Sequence, residues 1–401
     1  MKVLVLNSGS SSIKYKLYAM PENKQIASGS ITSIGEEKSE AVQKSERGVI
    51  KIVKPIADHE VGITIIKDML LDQDKGVLTS LSEVEACGHR VLHCGEKYSE
   101  PVLIDETVES VIEECIDLGP LHNPPNLMGI RAAKKMFGNI PQVACIDTAF
   151  HATMPERAYL YPVPLEIYRK YRVRKYGFHG TSHRYVSRRA AQLLGRDPMD
   201  VDLVTCHLGN GCSVTAVKKG QSIDTSMGLT PLEGLMMGTR SGNIDPAVIF
   251  FLMRKGYTAE QLDALLNKKS GLLGISEYSN DMRNLDTRAQ EGDKQALLAI
   301  EMFTYRIRQY VGSYLAVLGG ADAIVICGGI GEHEGRMRAN IFGGLEKLGI
   351  VIDAERNKAA YGIEAVISTD TSPIKVIVIP TDEEGSIAQD TYALASKVVS
   401  K

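Results

Sequence analysis

The sequence predicts an α/β protein built as two related halves, and three observations lead there. Residues 203–217, LVTCHLGNGCSVTAV, set two runs of β-branched and apolar residues around Gly209-Asn210-Gly211, the pattern of strand, tight glycine turn and strand. The start of the chain repeats that layout about 200 residues earlier: VLVLN at 3–7, then Ser8-Gly9-Ser10-Ser11-Ser12, then IKYKLY at 13–18. At 401 residues the chain is too long for one ordinary hydrophobic core, so two domains are expected.

The elements follow in order. The first ~55 residues read as an antiparallel sheet of VLVLN, IKYKLYAM, QIASGSI and GVIKIVK, with polar Glu36 to Ser45 connecting the last two. A helix is expected over 58–72, mixed strand and turn over 85–93, and a helix over 105–117 with Asp105 as its N-cap. PNLMGIRAAKKMFG (125–138) spaces apolar residues three to four apart between Pro125 and Gly138, a helix signature. PQVACIDTAFH (141–151) reads as a buried strand ending in polar groups, and the domain boundary is placed there, with domains 1–150 and 151–384. In the second domain LVTCHL and SVTAVKKG form a hairpin that SIDTSM extends, and helices are expected at 183–194, 245–255, 258–268, 290–318 and 335–347. ADAIVICGGIGE (321–332) reads as a strand entering a glycine turn before a helix, and IKVIVIPTDEEG (374–385) as a last buried strand. A final helix over 384–399 is expected to bring the segment 385–401 back onto the first domain.

Bulk properties narrow the function classes. A net charge of −3 gives no electrostatic footprint for nucleic acid or an anionic membrane. No apolar run approaches ~18 residues, so no membrane-spanning helix is expected. MKVLVLNSGSSS opens on a strand without a basic segment followed by a long apolar stretch, so no signal peptide is expected. Seven cysteines, an odd count in so long a chain, read as reduced thiols of a cytoplasmic protein.

Turns of Gly, Ser and Asn expose backbone N–H groups with few side chains in the way, so they cradle phosphate. Two cradles facing each other across a cleft suit a nucleotide polyphosphate, which points to phosphoryl transfer. Neither GxxxxGK[ST] nor a strand–GxGxxG–helix is present, so P-loop and Rossmann sites are not supported. Taken singly, each glycine cluster reads as an ordinary strand turn; three clusters at strand ends weigh against that. Polar islands interrupt apolar contexts at Gly88–His93, Pro120–Pro125, Asp147–His151 and Tyr176–His183. Taken singly, each histidine reads more readily as structural than as catalytic. Arg240, within Met237-Gly238-Thr239-Arg240-Ser241-Gly242, is more specific: a guanidinium beside glycines can fork onto a carboxylate or phosphate. His89 and His93 have the spacing of a zincin pair, but Arg90 stands where that motif requires Glu, and no GxSxG elbow marks a hydrolase.

LNSGSSSIKYKL, GHRVLHCGE, LHNPPN, DTAFH, KYGFHGTSHRYV, HLGNGCSV, GLTPLEGLMMGTRSG, GGIGE and IPTDEE stand in the order and spacing of the acetate kinase family, and the resemblance runs from residue 3 to about 390. It implies two actin-like, ribonuclease H-like domains with mixed five-stranded sheets flanked by helices around an interdomain cleft. It implies reversible phosphoryl transfer from ATP to acetate, giving acetyl phosphate and ADP, with Mg²⁺ (or Mn²⁺), in a homodimer assembled through the second domain. By the same resemblance Asn7 and Glu383 hold the metal. Ser10, Ser12 and Lys14 form the first phosphate loop, and His207, Leu208, Gly209, Asn210 and Gly211 the second. Asp281, Met282 and Arg283, with Gly329, Ile330, Gly331, Glu332 and His333, take the adenosine side. Arg90 and Arg240 flank the acyl substrate and transferred phosphoryl group, His179 stabilises the transition state, and Asp147 is the acidic residue the family assigns as acid/base. Leu92, Leu121, Phe178 and Pro231 resemble the pocket for the acyl methyl group, with His122 beside them in the substrate site.

Acetate is already ionised at neutral pH, so its oxygen can attack without a general base. Orienting an arginine or a metal-bound water therefore suits Asp147 better than transferring a proton. Relative to the family pattern, Cys94 stands for a glycine, Asn243 for an aspartate, Asp382 for an asparagine and His333 for an asparagine. Cys94 would narrow the acyl pocket, and His333 would alter nucleotide preference. Two alternatives stay open. One is a propionate kinase, which shares nearly every motif. The other is an actin- or Hsp70-like switch ATPase, against which the apolar pocket and paired arginines weigh.

Overall fold

Alternation dictates the first sheet. In IKYKLYA the alternate residues Ile13, Tyr15 and Leu17 are buried while Lys14 is exposed, so residues 13–19 lie as a strand with one face in the core. A computed structural model describes residues 1–399; the last two residues of the expected segment 385–401 lie outside the described residues. The chain divides into two compact units, Met1–Ala149 with Asp382–Lys401, and Phe150–Thr381.

In the first unit β1 (Lys2–Ser8) and β2 (Ile13–Ala19) form the expected hairpin, followed by β3 (Lys24–Thr32), β4 (Ser39–Ser45), β5 (Gly48–Lys54), α1 (His59–Leu70), β6 (Val84–Val91), β7 (Val102–Leu103), α2 (Glu106–Glu114), α3 (Asn123–Phe137) and β8 (Gln142–Ile146). The sheet order is β5-β4-β3-β2-β1-β6-β8-β7, with β1, β6 and β8 parallel. Asp105 caps α2 as expected, accepting from the Val108 N–H at 2.8 Å, and Asp58 caps α1. The C-terminal helix, Glu383–Val399, lays Ile387, Ala388 and Ala395 on Val3, Val5, Ala86 and Val143. Gly88 permits that approach, since a Cβ there would sit 2.3 Å from Thr391 Oγ1.

The second unit contains α4 (Glu156–Tyr159), α5 (Leu165–Tyr171), α6 (Gly180–Leu193), β9 (Asp202–Leu208), β10 (Cys212–Lys218), β11 (Gln221–Thr225), α7 (Ala247–Arg254), α8 (Ala259–Lys268), α9 (Gly271–Ser276), α10 (Met282–Gln290), α11 (Lys294–Leu318), β12 (Ala323–Cys327), α12 (Gly328–His333), α13 (Gly335–Phe342), α14 (Ala354–Ala359), β13 (Ala365–Val366) and β14 (Lys375–Val378). Its sheet order is β11-β10-β9-β12-β14-β13, with β9, β12 and β14 parallel. The helix expected over 290–318 begins only at Lys294. Gly292 at φ 95° ends the preceding α10, and Asp293 caps α11. The helix expected over 335–347 stops at Phe342, before Gly343-Gly344.

The two sheets share a five-strand plan. β3-β2-β1-β6-β8 and β11-β10-β9-β12-β14 have the same order and the same directions. The expected five-stranded sheets are nevertheless corrected to eight and six strands. In the first, β4 lies in the stretch read as a polar connection. Its inward Ser39 and Gln43 are buried because partners meet them: Ser39 Oγ donates to Ser33 O at 2.7 Å, and Gln43 accepts from Tyr15 Oη and donates to Met69 O. Two-residue strands β7 and β13 complete one edge of each sheet. Among the described residues, no helix is long and apolar enough to cross a membrane.

Candidate active site

Parallel strands bring their C-terminal ends to one edge of a sheet. In the first unit that edge carries Asn7 at the end of β1, Arg90 at the end of β6 and Asp147 just past β8. The Asp147 N–H donates to Val91 O at 2.9 Å, and Arg90 Nη2 donates to Asp147 Oδ2 at 3.0 Å. Asp147 is buried, Arg90 largely so, and Arg90 Nε is buried without a hydrogen-bond partner. Asp147 raises the Arg90 pKa further. Asn7 pairs with Lys14 across the hairpin. The turn between them is closed by Gly9 N–H donating to Ser12 O at 2.8 Å, and Asn126 Nδ2 anchors its start through Ser8 O. Ser10 and Lys14 are exposed.

Glu383 opens the C-terminal helix in the same unit. Burial, the leading cause, together with Asp147 and Glu384, pushes its pKa up to about 7 against the opposing pull of Arg90 and Lys14. Burial thus disfavours the ionised form of Glu383, and a divalent cation bound beside it would favour that form. Among the described residues, no three His, Cys, Asp or Glu side chains converge into a cage. A carboxylate and an amide oxygen without a cage fit a hard cation that keeps waters and phosphate ligands.

In the second unit β9 and β10 meet at Gly209-Asn210-Gly211. Gly209 N–H donates to Gly211 O at 3.1 Å, and Asn210 O accepts from Gly238 N–H at 2.9 Å. That second bond ties the turn to the loop carrying Arg240. Gly211 faces Arg240 and His179, because a Cβ on it would lie 3.4 Å from Arg240 Nη1 and 3.6 Å from His179 Nε2. Arg240 Nη1 donates to Pro231 O at 3.4 Å and to Met237 Sδ at 3.7 Å, both neutral, and burial lowers its pKa. Among the described residues, no carboxylate pairs with it.

His179 precedes α6 with left-handed φ 57° and stacks on His207 with ring centroids 4.2 Å apart. Its Nδ1 lies 2.9 Å from Ser213 Oγ, while His207 Nδ1 lies 2.9 Å from Ser182 Oγ. Buried His151 donates from Nε2 to Phe178 O and meets Ser222 Oγ through Nδ1.

On the expected adenosine side Asp281 caps α10 and pairs with the exposed Arg283. Two of the expected contact residues have buried side chains. Met282 is 2% exposed, a core anchor of α10. Glu332 is buried, and its carboxylate accepts from Gly328 N–H at 2.8 Å and Thr381 N–H at 3.0 Å, so it braces the glycine turn against the segment after β14. His333 Nδ1 lies 3.0 Å from Gly329 O, and its ring meets Tyr361 edge-on at 4.8 Å. Gly329, Ile330 and Gly331 lie in α12.

The expected acyl pocket draws Leu92, Leu121 and His122 from the first unit, and Phe178 and Pro231 from the second. Leu92 and Phe178 are buried, whereas Leu121 is 67% exposed. Cys94 is fully buried among Val91, Ile112 and Leu127, so it is a core thiol. Asn243 accepts from Gly234 N–H and donates to Tyr310 Oη, and Asp382 caps Gly385 at the start of the C-terminal helix. Sequence reasoning missed Arg338, a fully buried cation that donates to Gly331 O, Asn357 Oδ1, Asn357 O and Ala360 O. It also missed Tyr361 beside His333, and Thr205 and Ser213 within strands read only for their apolar content.

The family model described as the acetokinase family matches residues 2–389. An acetate kinase of Caldanaerobacter subterraneus subsp. tengcongensis is 51% identical over 401 residues, covering 99% of this chain and all of that one. The crystal structure of Porphyromonas gingivalis acetate kinase superposes with a TM-score of 0.95 at 46% identity, covering 98% of this chain and 99% of the other. That of a propionate kinase from Francisella tularensis does so with a TM-score of 0.90 at 42% identity, with the same coverage. Matched over almost its whole length in sequence and in fold, the chain belongs to the acetokinase family and is an enzyme of the acetate kinase type.

Proposed function

We propose that the chain transfers the γ-phosphoryl group of ATP reversibly to acetate, giving acetyl phosphate and ADP by direct in-line displacement. Arg240 carries this reading. A largely buried guanidinium beside a glycine turn and His179, bonded only to neutral acceptors, is built to meet an anion. The chemical difficulty is to bring a carboxylate against a polyphosphate. Arg90 and Arg240 offset that repulsion, and His179 donates to the phosphoryl oxygens as charge spreads over them. Asp147 fixes the Arg90 guanidinium from behind, which supports an orienting role over proton transfer. Asn7 and Glu383 would hold Mg²⁺ (or Mn²⁺), which supplies further charge neutralisation at the phosphates. Ser10, Ser12, Lys14 and the turn His207–Gly211 bind phosphate. Arg283, Gly329–Gly331 and His333 bind the nucleoside, with Asp281, Met282 and Glu332 as their supports.

The test is direct: purified protein with MgATP, acetate and hydroxylamine yields acethydroxamate. ATP hydrolysis at the same rate with and without carboxylate would overturn the reading and favour a switch ATPase. The likeness to a propionate kinase favours a second acyl substrate. One methylene is worth only ~1–3 kcal/mol of discrimination, so kcat/KM is expected to fall stepwise from acetate to propionate to butyrate.

α7 supports a homodimer. Val248, Phe250, Phe251 and Met253 are all exposed on it, and none of its residues is buried. Light scattering is expected to give twice the 43.7 kDa chain mass, reduced to the chain mass by Phe250→Glu with Phe251→Glu. Seven buried cysteines suit a reducing compartment, the cytoplasm.

A further inference from the structure

Four polar side chains of the second unit form one chain of hydrogen bonds. Thr205 Oγ1 lies 2.7 Å from His183 Nδ1, His183 Nε2 lies 2.7 Å from Ser213 Oγ, and Ser213 Oγ lies 2.9 Å from His179 Nδ1. Thr205, His183 and Ser213 are each 0% exposed. Proton counting assigns a direction to this chain. A hydroxyl has one proton, and a neutral imidazole has one N–H. Burial, with His151 and His207 adding to it, holds the His183 pKa well below the usual histidine range, so its ring is neutral.

Three arrangements are conceivable, and one strands the buried Ser213 proton at once, because Ser213 Oγ accepts from both His183 Nε2–H and His179 Nδ1–H; two others remain. In the first, His183 carries its proton on Nδ1 and donates to Thr205. Ser213 then donates to His183, and His179 must donate from Nδ1 to Ser213. That leaves the Thr205 hydroxyl proton without an acceptor, because among the described residues His183 is the only hydrogen-bond partner of that hydroxyl. A buried donor without an acceptor is a costly omission. In the second, Thr205 O–H donates to His183 Nδ1, His183 Nε2–H donates to Ser213 Oγ, and Ser213 O–H donates to His179 Nδ1. Every proton is then matched.

Resting on the reading of function above, we propose that Thr205, His183 and Ser213 are positioning residues that hold His179 as a neutral imidazole with its proton on Nε2. That nitrogen is the one beside Gly211 and Arg240, where the phosphoryl group is expected. The chain therefore presents a hydrogen-bond donor without adding a second positive charge next to Arg240 and against the stacked His207. Protonating His179 to the imidazolium would require Nδ1 to donate, which strands the buried hydroxyl proton of Ser213 or, with all three bonds reversed, of Thr205. The proposed reactive edge is thus set from β9, by a residue two positions before His207 that acts only through other side chains.

Two-bond ¹H–¹⁵N correlation spectra of the full-length protein labelled with [¹⁵N]histidine read the tautomer directly, with the His179 ring assigned by its loss in His179→Gln. The expected result is the Nε2–H form between about pH 6 and 8. An Nδ1–H ring or an imidazolium in the wild-type protein overturns the proposal. Thr205→Val is expected to give a mixed tautomer population and a roughly tenfold lower kcat with little change in either KM. Thr205→Ser restores both the spectrum and the rate. A Thr205→Val spectrum identical to wild type overturns the proposal whatever its rate. These spectra need no substrate, so absence of acethydroxamate beside an Nε2–H His179 would sink the reading of function and leave the hydrogen-bond chain supported.

Discussion

The two glycine hairpins share strand order and direction but carry opposite chemical equipment. At β1–β2 the carboxylates Glu383, Asp147 and Glu384 stand with Arg90 and Lys14, and burial first, then the neighbouring carboxylates, raises the Glu383 pKa. At β9–β10 Arg240 and a group of histidines surround the turn, and Arg240 has only neutral acceptors. On the proposed reading, one repeated backbone plan has been fitted once for a cation and once for an anion. The comparison teaches that the sheet supplies convergent strand ends, while residues just past those ends choose the sign of the ligand.

This contrast can be broken by experiment. Arg240→Ala is expected to lower kcat/KM for acetate by ~10³-fold, about 4 kcal/mol, while the far-ultraviolet circular dichroism and the Mg²⁺ requirement stay as in wild type. A loss below tenfold would mean that the anion side has been misplaced. Stability should respond next. Burial is the main cause that lowers the His89 pKa from 6.5 to about 4, and His183 shifts the same way in the other unit. The unfolded chain therefore takes up these protons first as pH falls. Stability is full above pH ~6.5 and declines toward pH ~4, by about 3 kcal/mol for His89 alone. Urea titrations across that window measure the slope, which His89→Gln should flatten.

Glu383→Gln is expected to cost about a hundredfold in kcat/KM at fixed Mg²⁺, with much of it recovered at higher Mg²⁺. Loss without any change in Mg²⁺ dependence would remove Glu383 from the cation side. Gly211→Ala puts a methyl group 3.4 Å from Arg240 Nη1, in ordinary contact with the protein but in the space meant for phosphate. It should lower kcat/KM for ATP roughly tenfold. Gly9→Ala meets the rotatable Ser12 hydroxyl at 3.2 Å and Ser12 O at an ordinary 3.6 Å, and should stay within about twofold of wild type. Equal effects at the two glycines would erase the proposed difference between the turns.

Both hairpins were legible in the sequence because β-branched runs around Gly-Ser or Gly-Asn turns have few other solutions. The caps Asp58 and Asp105 act through side-chain oxygens at fixed offsets, so the start of α2 at Asp105 could be read in advance. β4 was not legible, since SEAVQKS buries Ser39 and Gln43 against partners distant in sequence, and no local pattern announces a satisfied polar core. α10 was hidden because MRNLDTRAQ anchors itself through Met282 and Leu285 alone. At the site, charged residues beside glycine stood out. The residues that work through others did not: Glu332 as a brace, Arg338 among carbonyls, and Thr205 and Ser213, whose β-branched or strand setting suggests only packing.

The return of the chain to its first unit also orders events in time. Val3, Val5, Ala86 and Val143 present an apolar face that Ile387, Ala388 and Ala395 cover. During synthesis that face must wait until everything between has been made, so the second unit has the whole of its sequence before the first can close. Glu383 arrives on the same closing segment. A nascent or truncated chain therefore lacks the carboxylate proposed for the metal for as long as it lacks its last layer of core, so on that proposal completion of the fold and competence for the reaction coincide.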